Sequence, residues 1–321
     1  MIDVYFYEAF EEEASSLKSV IENRFTFDIT DKTIQESGHK NPKARLISIR
    51  TQSIIPSEWA NQLDGILSRS TGYDHLKKHL DLIRKPLVCG YLEEYATHAV
   101  AEHAILLTMA LLRRLPQQIS QFKQFDRDGL TGIESTGKRL LIVGVGRIGG
   151  EIVKIATALG MTVRGVDIVR RHSNVFYVTI EEGIPWADCV ICAMNLNSEN
   201  HGYFSYNLMK KAQPGVVFVN IARGEHAPLL DLQRLIDEGH IGGIGLDVFE
   251  DEPNIATAIR TETTGLHPLA QSLEKLMKDP RVLLTPHNAF NTREAVQRKS
   301  EYSINEILYY LKNKDFHCRV V

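Results

Sequence analysis

Apolar and polar positions along the chain form blocks, and each block predicts one element of secondary structure. Short apolar runs, typical of buried strands, are separated by stretches in which apolar residues recur every three or four positions, as in amphipathic helices. Strands and helices therefore alternate almost from end to end. This alternation predicts an α/β protein, in which doubly wound parallel sheets are covered by helices on both faces.

The first 96 residues contain one complete series of such blocks. We predict strands at 2–7, 25–29, 45–49, 65–68 and 87–89, with helices that include 8–23 and 56–62. The first helix opens with an acidic run, Glu11 to Glu13. Carboxylates suit the positive end of a helix dipole, and we interpret this run as a solvated face.

A helix predicted at 97–113 is apolar around most of its circumference, which indicates burial between domains or subunits. Its two histidines, His98 and His103, fit a core or interface role better than a ligand role. Pro116 is expected to break this helix, and a loop with Gly129, Gly132 and Gly137 should follow.

The remainder of the chain predicts a second alternating series. We expect strands near 140–143, 161–166, 189–194, 216–220, 243–248 and 282–284, and helices near 151–159, 206–211, 229–238 and 292–312. Asn291 and Glu294 are spaced to cap the last helix reciprocally.

One glycine motif dominates the second series. The apolar run 140–143 leads into Gly144-x-Gly146-x-x-Gly149, and a helix, a strand and Asp167 follow. This order is the dinucleotide-binding fingerprint of a Rossmann domain. Gly144 permits the tight turn, Gly146 lets the backbone approach a pyrophosphate, and Gly149 allows the helix to pack closely on the strand.

The acid that ends the motif bears on the choice of cofactor. Asp167 can accept hydrogen bonds from ribose hydroxyls and repels a 2′-phosphate, so the sequence favours NAD over NADP. Arg170 and Arg171 follow it and leave NADP open as an alternative.

The fingerprint lies in the middle of the chain, after a complete α/β region. We therefore predict a dinucleotide-binding domain at 97–290, inserted into a substrate-binding domain formed by 1–96 and 291–321. A cofactor flanked by two domains creates a cleft, where a small substrate would bind.

Composition excludes several classes of function. The chain of 321 residues has a net charge of only −3, which gives no electrostatic reason to bind nucleic acid or an anionic membrane. Neither a signal segment nor a spanning apolar run is evident, so we expect a cytoplasmic protein. Four cysteines suggest no disulfide framework, and we interpret Cys189 and Cys192 as residues of a buried strand rather than a redox or metal pair. We expect no metal.

Three segments at the C-terminal ends of predicted strands carry catalytic residue types. They are Asn220-Ile-Ala-Arg-Gly224, Leu246-Asp-Val-Phe-Glu-Asp-Glu-Pro253 and Thr285-Pro-His-Asn-Ala-Phe290. Arg223 can hold a carboxylate bidentately and polarise a ketone. His287 can deliver a proton to the developing alkoxide, and a neighbouring carboxylate can orient its ring.

These segments, together with the fingerprint and the Ser68-Arg-Ser-Thr-Gly-Tyr-Asp74 loop, resemble the D-specific 2-hydroxyacid dehydrogenase family, especially its D-lactate dehydrogenase-like members. The resemblance implies Arg223 as the substrate-binding and polarising residue, His287 as the acid/base and Glu252 as its partner. Glu252 is preferred to Glu250 because it directly precedes the proline and suits the family spacing from Arg223.

The same resemblance implies the remaining site residues. Thr71, Gly72 and Tyr95 would bind the substrate, and Asp247 would face the nicotinamide carboxamide. The rest of the cofactor would be lined by Gly144, Gly146, Arg147, Ile148, Gly149, Asp167, Met194, Asn195, Asn200, Ile221 and Ala222. Departures from the family pattern occur at Leu141, Ala193, Asn195 and the long segment 254–271, and these concern substrate identity more than reaction type. His226 and His267 lack catalytic context and are interpreted as surface residues.

The sequence thus predicts NAD-dependent reduction of a small 2-keto acid to the D-2-hydroxy acid, by a homodimer. Alternatives are a glyoxylate or hydroxypyruvate reductase, a phosphite-oxidising relative, and a non-enzymatic NAD-sensing protein similar to the corepressors of this superfamily.

Overall fold

The computed structural model describes residues 2–320, apart from the side chain of Leu266, as two compact units. The first unit comprises Met1–Ala96 together with Asn291–Val321, and the second comprises Thr97–Phe290. Each unit has a parallel sheet with helices, so the predicted α/β class is confirmed. Among the helices of residues 2–320, none combines the length and the apolar composition needed to cross a membrane.

The first unit contains a five-stranded parallel sheet with the order β2-β1-β3-β4-β5. Its apolar strand residues join aromatic and aliphatic side chains such as Tyr7, Trp59 and Leu76 in one core. The strands are β1 (Val4–Phe6), β2 (Phe27–Ile29), β3 (Leu46–Ile49), β4 (Gly65–Ser68) and β5 (Val88–Gly90), and the helices are α1 (Glu11–Ile21), α2 (Ile34–Ser37) and α3 (Asp74–Ile83).

Two predicted helices of the first unit differ from the structure. Helix α1 begins at Glu11 and not at residue 8, because Glu8 adopts a left-handed φ of 56°. The Glu8 carboxylate accepts hydrogen bonds from three backbone N–H groups of the segment 50–53 and so closes the loop after β3. The helix expected at 56–62 is a 3₁₀ turn, Ser57–Asn61.

The second unit contains a seven-stranded parallel sheet with the order β12-β11-β10-β9-β6-β7-β8. Its strands are β6 (Arg139–Val143), β7 (Thr162–Val166), β8 (Phe176–Tyr177), β9 (Cys189–Cys192), β10 (Val216–Asn220), β11 (Ile241–Leu246) and β12 (Val282–Leu284). Its helices are α4 (Thr97–Leu112), α5 (Leu115–Gln121), α6 (Arg147–Ala158), α7 (Ile180–Gly183), α8 (Tyr206–Met209), α9 (Leu229–Asp237), α10 (Glu252–Arg260) and α11 (Pro268–Leu276).

The apolar helix α4 packs within the second unit, against α6, β10 and β11. Gly245 of β11 makes this close approach possible, since a Cβ there would lie 3.2 Å from the Cβ of Leu107. Contacts inside its own unit therefore account for much of the burial that we predict for this helix.

Pro116 does not play the role that the sequence suggests. Helix α4 ends at Leu112, and Arg114 takes a left-handed φ of 50° that reverses the chain. Pro116 then lies in the first turn of α5, where its missing N–H has no helical partner to lose. The proline thus helps to begin a helix where we predict only a loop.

The C-terminal part of the chain contains a further helical segment and one further correction. The long segment 254–271 is largely helical, since it falls on α10 and α11. The chain then re-enters the first unit through α12 (Arg293–Asn313), which packs against α1. Its cap is Thr292, whose side chain accepts a hydrogen bond from Ala295 N, so the capping pair of Asn291 and Glu294 is wrong.

Candidate active site

Six neighbouring strands of the second unit bring most of the candidate residues to one edge of the sheet. All of these strands are parallel, so their carboxyl ends meet at the same edge. From β6 the chain adds β7 and β8 on one side and then β9 to β12 on the other side. The strand order therefore reverses between β6 and β9, which is the switch point of the sheet. Open α/β sheets bind their ligands at such a point.

The glycine turn after β6 has the geometry that its motif requires. Gly144 has a φ of 93°, and a Cβ there would come within 2.6 Å of Met194 N. A Cβ on Gly149 would lie 2.1 Å from the carbonyl oxygen of Gly144. Gly146 instead faces open space, with no atom within 4 Å of the position of its absent Cβ.

Open space at Gly146 is what a bound pyrophosphate needs. Gly146 is the N-cap of α6, whose first residues are Arg147 and Ile148, so the N–H groups at the positive end of this helix adjoin that space. The residues present therefore fit a dinucleotide cofactor on geometric grounds.

Asp167 lies directly after β7 and is tied to the glycine turn. One carboxylate oxygen accepts a hydrogen bond from Val145 N at 2.7 Å, and the other accepts one from Val169 N at 2.8 Å. These bonds hold the carboxylate beside the fingerprint, where a ribose would meet it. Remaining lone pairs on each oxygen are available to hydroxyl donors.

The segment after β9 contains Met194, Asn195 and Asn200. The Asn200 side chain donates to the carbonyl oxygen of Asn195 at 2.7 Å, which closes this segment on itself. Farther along, Gly202 N donates to Glu225 O and Phe204 N donates to His226 O, each at 2.8 Å. Backbone bonds therefore connect the predicted cofactor segment to the turn that carries Arg223.

Arg223 belongs to a short turn after β10, preceded by Ile221 and Ala222. Its carbonyl oxygen accepts a hydrogen bond from the Asn220 side chain at 2.8 Å, and its own Nη1 donates to Ala222 O at 2.8 Å. The asparagine that ends the strand thus fixes the backbone from which the guanidinium projects.

Beside this turn lies a histidine that the sequence assigns wrongly to the surface. His226 is completely buried, and its Nδ1 is 3.1 Å from the carbonyl oxygen of Arg223. Burial lowers the pKa of His226 to about 4, so the ring is neutral at neutral pH and donates from Nδ1. Its position three residues after Arg223, inside a tight turn, is the only sequence signal for this contact.

Asp247 follows β11 and organises the loop that carries the acid/base candidate. Its carboxylate is 1% exposed and accepts hydrogen bonds from Thr285 Oγ1, Asn288 N and Ala289 N at 2.6, 2.7 and 2.9 Å. His103 of α4 contacts Thr285, with His103 Nε2 3.1 Å from Thr285 Oγ1. The carboxylate therefore holds the loop that carries His287, and its position beside the nicotinamide carboxamide stays a prediction.

The central feature of the site is a hydrogen-bonded pair, which is an ion pair when His287 is protonated. His287 Nδ1 lies 2.7 Å from Glu252 Oε1, and the two side chains are 19% and 14% exposed. Glu250 makes a different contact, since its carboxylate accepts a weak hydrogen bond from Leu229 N at 3.3 Å, at the start of α9. The geometry thus favours Glu252 over Glu250 as the partner of His287.

The three substrate candidates outside this sheet belong to the first unit. Thr71 and Gly72 lie in the loop between β4 and α3, and Tyr95 is 5% exposed just before the boundary between the units.

Two other sequence features have structural explanations. Cys189 and Cys192 are fully buried in β9, and burial raises the pKa of each thiol to about 12, which excludes a reactive thiolate at neutral pH. His267, the other presumed surface histidine, is partly buried and lies 3.1 Å from Asp251. Within residues 2–320, no group of three or more His, Cys, Asp or Glu side chains is arranged to hold a metal ion.

Comparison with known proteins gives a match to one family. Residues 105–289 match the model of the D-isomer specific 2-hydroxyacid dehydrogenase, NAD binding domain. The match covers more than half of the chain and includes the fingerprint, the Arg223 turn and the ion pair.

Individual relatives agree with this family. A D-lactate dehydrogenase of Staphylococcus epidermidis is 29% identical over 250 residues, which are 76% of this chain and 74% of the relative. A D-3-phosphoglycerate dehydrogenase of Bacillus subtilis is 32% identical over 223 residues, 67% of this chain and 39% of the relative. The fold resembles that of a D-lactate dehydrogenase from Aquifex aeolicus in complex with NAD and lactic acid, with a TM-score of 0.85, 23% identity and coverage of 99% and 100% of the two chains.

Proposed function

Because this chain belongs to the D-isomer-specific 2-hydroxyacid dehydrogenase family, we propose that it uses NAD(H) to interconvert a small 2-keto acid and the corresponding D-2-hydroxy acid, with Arg223, Glu252 and His287 as its catalytic residues. The observation that carries this assignment is the 2.7 Å contact of His287 with Glu252, in a chain with an intact cofactor fingerprint.

The ion pair gives the histidine a defined role. Since Glu252 holds Nδ1, the opposite nitrogen, Nε2, is the one that exchanges a proton with substrate oxygen. Bound NADH would supply a hydride to the carbonyl carbon, and His287 would protonate the oxygen as it becomes an alkoxide. In the oxidative direction His287 accepts that proton again. Glu252 orients the ring and balances the charge of the imidazolium.

Arg223 provides a fixed positive charge and a planar set of donors. A guanidinium can hold a substrate carboxylate with two parallel hydrogen bonds and place another donor near the ketone oxygen. The backbone N–H groups of Thr71 and Gly72 are proposed to bind the substrate carboxylate, and Tyr95 to contact the remainder of the substrate. These assignments fit a small 2-keto acid as the substrate. The rate panel described below tests the identity of its side chain.

The cofactor is NAD, and we propose that Asp167 favours it over NADP. Its carboxylate is held beside the glycine turn by Val145 N and Val169 N, so it cannot turn away from an incoming 2′-phosphate without losing both hydrogen bonds. Arg170 and Arg171 follow within four residues, so both nucleotides belong in any assay.

An exposed apolar surface supports the homodimer. Four large apolar side chains on α5 and on the segment 122–125 after it are 42–73% exposed, and a patch of this kind typically marks a protein interface. They are Leu115, Ile119, Phe122 and Phe125. We propose that a second copy of this chain covers them. Light scattering should give a dimeric mass that Phe122→Asp lowers, and a monomeric wild-type chain would contradict the proposal.

The test of the proposed function is a rate panel. NADH and NADPH oxidation should be followed with pyruvate, longer 2-keto acids, glyoxylate and hydroxypyruvate, and NAD⁺ reduction should be followed with phosphite. The highest kcat/KM is expected with NADH and a small 2-keto acid, giving the D product. Preference for glyoxylate, hydroxypyruvate or phosphite would assign one of the alternative reactions. Cofactor binding without turnover of any substrate would favour an NAD-sensing interaction protein.

A further inference from the structure

A chain of hydrogen bonds runs beneath the loop that joins β4 to α3. Ser70 Oγ donates to the carbonyl oxygen of Gly72 at 2.8 Å, and Ser70 Oγ lies 2.6 Å from Ser68 Oγ. Ser68 Oγ lies 3.0 Å from His75 Nε2, on the first turn of α3. Ser68 is completely buried and Ser70 is 8% exposed. We call this set, His75, Ser68, Ser70 and the Gly72 carbonyl, the His75 relay.

The direction of the relay follows from the number of hydrogens. A carbonyl oxygen only accepts, so the single hydroxyl hydrogen of Ser70 is used on Gly72. Ser68 must then donate its hydroxyl hydrogen to Ser70, and His75 must donate to Ser68 from Nε2. The relay therefore fixes the Nε2–H tautomer of His75, and each bond polarises the next in the same direction.

The relay also sets the direction of peptide N–H groups in the loop. In a trans peptide the N–H points opposite to the carbonyl oxygen of the same unit. The relay holds the Gly72 carbonyl inward, which turns Tyr73 N–H outward. Likewise, Ser70 O accepts a hydrogen bond from Leu92 N at 3.1 Å, which turns Thr71 N–H outward.

These outward groups are hydrogen-bond donors that the fold does not use. Within residues 2–320, no carbonyl or side chain accepts a hydrogen bond from the N–H of Thr71, Gly72 or Tyr73. Neighbouring backbone N–H groups without a partner in the fold can form a donor surface suited to an anion.

From this geometry we propose that His75, Ser68 and Ser70 are positioning residues for substrate binding. They do not touch the substrate; they hold the Gly72 peptide so that the N–H groups of residues 71–73 stay aligned on its carboxylate. The inference rests on the proposed function, which assigns the carboxylate to Thr71 and Gly72, and it adds Tyr73 N–H as a third donor.

The first experiment replaces the terminal donor. His75→Leu removes the hydrogen bond to Ser68, whereas His75→Gln keeps an N–H that can reach it. With the preferred keto acid from the rate panel, His75→Leu should raise the KM about tenfold, and His75→Gln should remain within about threefold of wild type. The KM for NADH should stay within about twofold in both variants.

The second experiment tests whether the groups act as one unit. Ser70→Ala removes the bond to Gly72 O with little change in volume, and it should raise the keto-acid KM as much as His75→Leu does. The double variant should be no worse than either single variant, because each breaks the same chain. Additive effects would overturn the relay.

A matched control lies one turn farther along α3. His79 is a buried histidine, 6% exposed, outside the relay, so His79→Leu should leave the KM for the keto acid and the KM for NADH unchanged. Binding of oxamate to the NADH complex should weaken about tenfold in Ser70→Ala and not in His79→Leu. Equally weakened oxamate binding in both variants would show that the relay only stabilises the fold and does not position the substrate.

The outcomes separate this inference from the proposed function. A wild-type chain that turns over no keto acid refutes the proposed function and the relay with it. An active wild type whose keto-acid KM is unchanged by His75→Leu and Ser70→Ala refutes the relay alone.

Discussion

Two ionic clusters, one in each unit, use similar groups for opposite purposes. In the first unit, Glu13 Oε1 accepts from Arg69 Nε at 2.8 Å and lies 2.9 Å from Lys299 Nζ, and all three side chains are 0% exposed. In the second unit, Glu252 and His287 form a pair with 14% and 19% exposure. The first cluster is sealed in protein, and the second can meet solvent or substrate.

The sealed cluster is fixed by its surroundings. Arg69 also donates to Ser48 Oγ and to Tyr7 O, so its guanidinium connects β3 with the residues that follow β1 and β4. Although burial alone raises the pKa of Glu13, Lys299 and Arg69 outweigh it and lower that pKa to about 2. Burial is also the main reason why the pKa of Lys299 falls to about 7. Such charges are stable only while every partner remains.

This difference shows that residue type alone does not separate a structural ion pair from a catalytic one. A pair that exchanges protons with a substrate needs an accessible nitrogen and a loop that holds it in place. A sealed cluster instead makes its unit intolerant of losing any member.

The largest effect is expected at the accessible histidine. His287 has a left-handed φ of 50°, which asparagine tolerates better than most residues, so His287→Asn is the least disruptive replacement. Loss of acid/base chemistry should lower kcat by about 10²–10⁴-fold, with the melting temperature nearly unchanged. Steady-state rates and thermal unfolding measure both, and a variant with wild-type kcat would refute the role of His287.

Neutralising Glu13, the sealed carboxylate, should reduce the stability of the fold, in contrast to the loss of kcat expected at His287. Glu13→Gln leaves the buried charge of Arg69 without an anion and removes the group that raises the pKa of Lys299, so it should lower the free energy of unfolding by about 3–5 kcal/mol. Denaturant unfolding measures the change. Glu12→Gln is the control, because this neighbour on α1 is exposed and should cost at most about 0.5 kcal/mol. Similar losses in both variants would contradict the comparison.

A smaller effect is expected for the partner of His287. Glu252→Gln keeps the shape of the side chain but weakens a hydrogen bond between charged groups, so kcat/KM should fall about 10–100-fold. Glu250→Gln changes only the weak contact at the start of α9 and should stay within about twofold of wild type. If Glu250→Gln proved the more damaging change, the assignment of the two glutamates would be reversed.

The smallest effect concerns the pH dependence of stability, and it refines the prediction for Glu13→Gln. The pKa of Glu13 in the folded chain lies below its ordinary value of 4.5, so the unfolded chain binds a proton first as the pH falls. Ionised Glu13 therefore stabilises the fold above pH 4.5, and this stabilisation is lost progressively toward pH 2. The stability difference between wild type and Glu13→Gln should narrow over this range. A constant difference would show that Glu13 is not ionised in the fold.

Local patterns in the sequence predict much of the fold. Apolar runs locate β4, β10 and β12 with their bounds, and the glycine spacing identifies the turn after β6, because both signals depend on neighbouring residues. Helix ends are less certain, as at Thr292 and Pro116, since a single hydrogen bond or left-handed residue decides them.

Features that depend on distant residues are not visible in the sequence. The acidic run on α1 suggests a solvated face, yet Glu13 is completely buried because Arg69 and Lys299 reach it from other elements. His226 is buried for a similar reason, since the segment after β9 reaches it, with Phe204 N donating to His226 O. The residue types of the proposed site are evident from motifs, whereas the choice of Glu252 over Glu250 gains geometric support only from the distances.

The discontinuous first unit has a consequence for how the protein is made. Glu13 and Arg69 are translated before the second unit, whereas Lys299 belongs to α12 and is translated after it. The nascent sheet therefore lacks one counter-ion of Glu13 until the whole second unit has been translated, whereas the second unit is one continuous segment. During translation we expect the second unit to fold before the first unit is completed. The residues of the first unit that precede it would then be the part that a chaperone binds.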